Sequence, residues 1–419
     1  MTHQVALTFS ARVLPGRREA LERLLGVMAE DPDGNRVIPF ARLPLTHFAR
    51  VLLLEPQADE DEPTVIVTLD CDATVGERLD DLVQVAGAGL DELFGACADY
   101  PDVPTPDRRL AYLRAHLRDS RVFYVHAVGR TLPQIRDEAR LRQALEDHLD
   151  TQVDQLAGLT PAEVRDAIRS HVASEPTLAW ALAPAPQPAL VWRLREKLHK
   201  IAVPALLVVT LPIGIPAAIV WALMLRWHER VDAFPEIEPD PERLRELGDA
   251  EDFLVQNAFT SRAPIRPGGF WKLTSRLTEL VGDYTARHVF TTGSLSGLTT
   301  VHFARFMRVD PDEQVLFTSY YDGSLESYNN DFVDQVAWVL NTVFGQQADY
   351  PRTRWMVHDG AHNERWFKNF IRGHQVPTQV WYSAYPDLAA VTIDQNARLR
   401  AGLSGELEGE ELDAWLRIL

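Results

Sequence analysis

The spacing of apolar and polar positions changes period repeatedly along this chain. Val5 to Val13 alternates with a period of two and predicts a strand, while leucines recur three and four apart from Arg17 to Ala29 and predict a helix. Two more strand patterns follow, "THFARVLLLE" and "TVIVTLD", then a helical stretch from about Gly76 to Gly95, a shorter helix from Arg108 to Arg118 and a last strand, "RVFYVHA". The order is β-α-β-β-α-β with one extra helix, the ferredoxin-like pattern. It returns at Leu254 to Arg262, Trp271 to Val281, Thr300 to Val309, Gln314 to Tyr321, Ser324 to Phe344, Arg365 to Gly373 and Thr378 to Ala384.

Residue identities repeat along with the pattern. His-Phe-Ala-Arg stands at His47–Arg50 and again at His302–Arg305, 255 residues on, and "ADYP" at Ala98 and Ala348 is offset by 250. The five-residue difference falls in the acidic turn "EPQADEDEP", which is shorter in the second copy. "YLRAHLRDSRVFYVHA" aligns with "FIRGHQVPTQVWYSAY" at an offset of 258, pairing His116 with His374, and "LPGRREALERLL" with "RPGGFWKLTSRL" at 252. Recurrence in one order at near-constant spacing implies two homologous halves. On a regular strand His302 and Arg305 point to opposite faces and cannot line one cavity. In a ferredoxin-like sheet this strand is an edge, which must be paired or covered, so the doubled motif points to a structural role at the seam between halves.

Between the halves, Ile201 to Leu225 runs for 25 residues without a charge. As one helix it would extend roughly 37 Å, enough to cross a bilayer. Pro204, Pro212, Gly214 and Pro216 interrupt it, which favours two short helices meeting near "LPIGIP". Basic residues flank both ends, Arg193, Arg195, Lys197 and Lys200 before and Arg226 and Arg230 after, so both ends are expected on the cytoplasmic side. A re-entrant or monotopic hairpin is therefore favoured over a single span or a buried helical pair, with Trp192, Trp221 and Trp227 placed to anchor it at the interface. The resulting division is a first repeat over 1–150, a helical linker over 151–192 that opens a capping-box helix at Thr160, the hairpin over 193–230, and a second repeat over 231–419.

Composition narrows the function classes. A net charge of −18 argues against nucleic acid as a partner, because phosphate binding needs a basic footprint. Cys71 and Cys97 are too few for a disulfide framework and read as small buried residues in a reducing setting. No P-loop, dinucleotide fingerprint or nucleophile elbow occurs, and His358 and His362 in "HDGAHNE" lack a third ligand, so no metal site is expected.

Two ferredoxin-like halves in one α+β chain resemble the dimeric α+β barrel superfamily, whose duplicated members include the dye-decolorizing peroxidases and chlorite-dismutase-like haem proteins. The peroxidases carry Gly-x-x-Asp-Gly beside the haem, and "SYYDGS" supplies Asp322-Gly323 with Ser319 at the first glycine. The resemblance implies haem, ligated by His374 or else His302, with Asp322 in proton transfer and Arg305 stabilising charge. Asp322 also reads as a turn or N-cap carboxylate. The second half adds hydroxyls where the first has none, and Tyr320, Tyr321 and Tyr328 are the expected substrate contacts. Two functions follow: a membrane-associated, haem-dependent peroxidase-like oxidoreductase acting on an apolar small molecule, or a non-catalytic monotopic protein that binds membrane lipid or recruits a partner. Homo-oligomerisation is left open.

Overall fold

The computed structural model describes residues 4–56, 62–249, 254–309 and 314–419. The turns holding the five-residue difference between the repeats lie largely outside the described residues. The first part of the chain forms β1 (Gln4–Arg12), α1 (Arg18–Glu30), β2 (Thr46–Leu54), β3 (Thr64–Asp72), α2 (Val75–Phe94), α3 (Pro106–His116) and β4 (Ser120–Val125). The middle is helical: α4 (Leu132–Leu156), α5 (Pro161–Ser174), α6 (Leu190–Val231) and α7 (Pro241–Asp249). Then come β5 (Gln256–Pro264), α8 (Gly269–His288), β6 (Val301–Val309), β7 (Gln314–Asp322), α9 (Leu325–Phe344), the two-residue strands β8 (Thr353–Arg354) and β9 (His358–Asp359), α10 (Glu364–Gly373), β10 (Val380–Ser383), α11 (Ala390–Ser404) and α12 (Gly409–Leu416).

The chain is α+β, built on antiparallel sheets with one long apolar helix. Its two four-stranded sheets have the orders β1-β3-β2-β10 and β4-β6-β7-β5, so each takes three strands from one part of the chain and its fourth from the other. β10 covers the free edge of β2, with Val380 opposite Val51 and Ser383 opposite Phe48, and β4 covers β6, with Val125 opposite Phe303. The exchange leaves neither β2 nor β6 as an open edge. Isolated bridges join the sheets at both sides, Phe9 with Leu117 and Ser261 with Gln375, where Arg118 N donates to Thr8 O (2.7 Å) and Val376 N to Thr260 O (2.9 Å).

Alternation on the strands sends one set of side chains between the sheets and the other toward helices. Leu52, Leu54 and Ile66 meet Met307, Val309 and Leu316 in the interior. Outside, Leu21 and Leu25 of α1 and Leu82 and Leu90 of α2 pack with Phe9 and Val67, and Phe332, Val336 and Leu340 of α9 pack with Phe259 and Phe317. A separate cluster, including Leu141, Ile168, Leu399 and Trp415, ties α4 and α5 to α11 and α12. α5 starts on the capping box expected at Thr160, with Glu163 returning to the cap.

The expected break near "LPIGIP" is absent, and the hairpin is corrected to one helix. α6 is continuous for 42 residues, with Pro204, Pro212 and Pro216 inside it. At 100° per residue the three rings fall within about 120° of one another around the axis, so the missing N–H bonds lie on one side and leave the ladder intact on the other.

Candidate functional site

The repeated arginines cross between the sheets in opposite directions. Arg50 leaves β2 and donates to Phe259 O (2.8 Å), Thr260 Oγ1 (2.7 Å), Ser319 O (2.9 Å) and Tyr320 Oη (3.0 Å). Arg305 leaves β6 and donates to Leu7 O (2.9 Å), Thr8 Oγ1 (3.0 Å) and the Asp70 carboxylate. Leu7 and Thr8 correspond to Phe259 and Thr260 at the offset of 252, and Asp70 to Tyr320 at 250. Both guanidinium groups are buried. A buried cation is tolerated when its donors are satisfied, and each arginine satisfies them on the opposite sheet, fixing how the sheets sit on each other. The partners differ in charge: Arg50 lies 4.0 Å over the Tyr320 ring, whereas Arg305 meets a carboxylate. Burial lifts the Asp70 pKa above the ordinary range, opposed by the charges of Arg305 and then Arg50.

The repeated histidines pair with the repeated aspartates. His47 Nε2 is 2.9 Å from Asp72 Oδ1, and His302 Nε2 is 2.7 Å from Asp322 Oδ1. The second carboxylate oxygen accepts from the first turn of a helix, Asp72 from Leu132 N of α4 and Asp322 from Ala390 N of α11, both at 2.7 Å. Each pair thus ties a strand end to a helix start, where the dipole favours negative charge. A register shift lies at the histidine in both copies, between Thr46 and Phe48 and between Val301 and Phe303. This bulge overturns the strand-parity expectation, because the extra residue turns the histidine toward the same interior as the arginine three positions on. Alternation cannot reveal such a shift. The residue after each aspartate is left-handed, Ala73 at φ 79° and Gly323 at φ 83°, so the Asp-Gly pair read from the resemblance has a backbone reason here. Ser324, not Asp322, caps α9.

The expected site residues do not converge. Tyr320 is buried and stacks on Phe48 at 4.3 Å. Tyr328 donates to Ser319 Oγ (3.0 Å) and packs at a tilt against Tyr321, with ring centroids 4.1 Å apart. His374 lies beside Arg262, near the other end of β5 from Gln256, which pairs with Asp322; its Nδ1 is 3.1 Å from Arg262 O and its Nε2 3.4 Å from Asp349. Burial holds its pKa below the usual histidine value, against the pull of Asp349. Of the seven residues, only Tyr321 lines one of the main clefts among the described residues, a surface hollow of about 450 Å³ with Trp381 and Leu254. A haem needs an open slot beside its ligating imidazole, and His374, the first expected ligand, lines none of the main clefts among the described residues. Here His302 is held by Asp322, Arg305 by Asp70, and Phe48, Phe303, Tyr320 and Tyr385 fill the space between, so these residues do not fit the group. The repeated motif had already marked His47 and Arg50 as members of this arrangement; Asp72, and Tyr385 whose hydroxyl lies 3.0 Å from His47 Nδ1, carried no such mark.

The second unusual region is α6. From Pro204 to Val220 every residue is exposed, and Val208, Val209, Ile213 and Ile219 lie around the whole circumference at 53% or more with their neighbours Leu206, Leu207 and Ile215. A helix apolar all round is buried in a core or in lipid, and this one is outside the core. Both its ends are docked. His199 Nδ1 is 2.7 Å from His288 Nε2 and Tyr284 Oη donates to Lys200 O (3.0 Å), while Trp221 Nε1 donates to Thr274 Oγ1 (3.0 Å) and His228 stacks on Phe270 at 4.4 Å. Buried Glu229 accepts from Thr353 Oγ1, Trp355 N and Met356 N at 2.9–3.0 Å. α8 therefore holds the helix before and after its exposed stretch, which is itself free of contact with the body. Compared with protein-family models, curated proteins and solved structures, the chain matches none.

Proposed function

We propose that this chain is a monotopic membrane protein whose α+β body is a non-catalytic platform carried on the cytoplasmic face of a bilayer by α6. One observation carries the reading: seventeen consecutive exposed residues of α6, Pro204 to Val220, hold no charge, although both ends of the helix are bound to α8 and the strands beyond it. In water such a surface is an aggregation liability, and in a bilayer interface it is an anchor. The docking favours an in-plane helix, because a perpendicular one would draw α8 and the sheet beneath it into hydrocarbon. Basic residues at both flanks favour the cytoplasmic side. The body reads as two ferredoxin-like units related by duplication, closed into one barrel by exchange of their fourth strands, and its duplicated His, Asp and Arg side chains hold that closure.

Flotation of the full chain with phosphatidylglycerol-containing vesicles tests the anchor. Wild type should float, and Leu207→Asp combined with Ile215→Asp should remain in the load fraction, since each change replaces apolar surface seated among acyl chains with a charge. Equal flotation of both would remove the reading.

A further inference from the structure

α8 carries a second apolar face that the body does not cover. Its inner side, with Trp271, Thr274 and Ser275 buried, packs toward the sheet, so closely that a Cβ at Gly282 would meet Val122 Cγ2 at 2.9 Å. Leu273, Leu277, Leu280 and Val281 stand outside at 53%, 42%, 69% and 60% exposure. Their spacing of four, three and one places them on one stripe, which continues through Tyr284 and His288 to the contacts with Lys200 and His199. The leucines thus lie between the two points where α6 is held, beside its exposed apolar stretch.

Charge says what covers this surface. α6 and α8 together hold nine Lys and Arg against four Asp and Glu, a local charge of +5 in a chain of net −18. A protein groove would need one face of α6, whereas the whole circumference is apolar from Pro204 to Val220. Acyl chains beneath anionic headgroups satisfy both the apolar surface and the surrounding cations. We infer that the α8 stripe is a second membrane contact, so that α6 and α8 form one face seated on an anionic leaflet and the body is held at a fixed roll against it. The inference rests on the membrane reading of α6 and adds the body's own contact to it.

Single-cysteine labelling of the full chain tests it. Cys71 and Cys97 are buried and burial pushes both thiols up to about 12, so a nitrobenzoxadiazole maleimide reports the introduced cysteine. Labels at Leu277→Cys, Val208→Cys and the exposed Val103→Cys are read in phosphatidylcholine–phosphatidylglycerol vesicles with and without doxyl lipid. Labels at 277 and 208 should shift to the blue and be quenched by doxyl lipid, while the label at 103 stays in water. Quenching at 208 with 277 in water would overturn the α8 contact and leave the α6 anchor standing; no quenching at either would remove both. A blue shift at 277 that appears without vesicles and grows with protein concentration would assign the stripe to a second copy and overturn the lipid assignment. Leu277→Glu, on an already exposed position, should lower vesicle partition about tenfold while far-UV circular dichroism is unchanged; unchanged partition would count against the contact.

Discussion

Arg305→Met removes the charge facing Asp70 while keeping an unbranched stem between the sheets. Asp70 is fully buried, its Oδ2 has no hydrogen-bond partner among the described residues, and burial already raises its pKa against the opposing charges of Arg305 and Arg50. Stranding one member of a buried pair costs about 3–5 kcal/mol. The cost must depend on pH. Without the guanidinium the folded carboxyl titrates higher still, while in the unfolded chain it stays near its ordinary value of about 3.9. At pH values below the wild-type folded value the proton is held in both folded proteins, and the deficit reduces to the lost bonds to Leu7 O and Thr8 Oγ1, about 1–2 kcal/mol. Above it, folded wild type releases the proton and the folded variant keeps it, so the deficit grows by about 1.36 kcal/mol per pH unit until the variant also ionises. Arg50→Met takes a donor from Tyr320 Oη, Thr260 Oγ1 and two carbonyls and removes the weaker of the two charges acting on Asp70, so its deficit of about 2–4 kcal/mol should change less with pH. Guanidinium unfolding in mild detergent, followed by tryptophan fluorescence at pH 4.5 and pH 8, separates the two. An Arg305→Met deficit that shrinks from pH 4.5 to pH 8, or a steeper dependence for Arg50→Met, would refute the assignment of charge to this seam.

Other substitutions probe the duplicated supports. Asp72→Asn and Asp322→Asn should each cost about 1–3 kcal/mol in chemical denaturation, because each carboxylate joins a histidine to a helix start, and the Asp72 change should cost no less than the other since Gln4 Nε2 also reaches it at 3.3 Å. Ala73→Gly should raise stability by about 1 kcal/mol and Gly323→Ala lower it by about as much, because both residues are left-handed and a Cβ at Gly323 meets no atom within 4 Å; melting temperatures moving the other way would contradict this. Protein purified from cells supplied with haem should show no Soret band, and His374→Ala should leave its visible absorption unchanged; a band lost in that variant would restore the peroxidase reading.

Local order was legible in the sequence, and partner choice was not. Each repeat's strands and helices lie within a few residues of the periodicities that predicted them, although α8 runs seven residues past Val281, through a polar turn that carries little pattern. The exchange of β4 and β10 left no local mark, since alternation says which face of a strand is apolar and nothing of which edge it joins. The bulges at His47 and His302 were hidden for the same reason, and with them the fact that histidine and arginine face one interior. Prolines 204, 212 and 216 argued for a break because their individual cost is plain in sequence while their common side of the helix is not. The recurrence of His-Phe-Ala-Arg was the strongest guide to the seam: Arg50 and Arg305 both bond to the opposite sheet, where the first meets Tyr320 and the second Asp70.

Sidedness at the two ends of α6 tests the membrane account most directly. Leu190→Cys and Val231→Cys lie at the helix termini and are exposed, at 64% and 61%. A membrane-impermeant maleimide applied to inside-out membrane vesicles, whose cytoplasmic face is outward, should label both without permeabilisation, and the protein should stay with the vesicles through a high-salt wash. Labelling of one position only after permeabilisation would establish a spanning helix, and loss of the whole protein to the wash would mean that the apolar length of α6 is covered by something other than lipid.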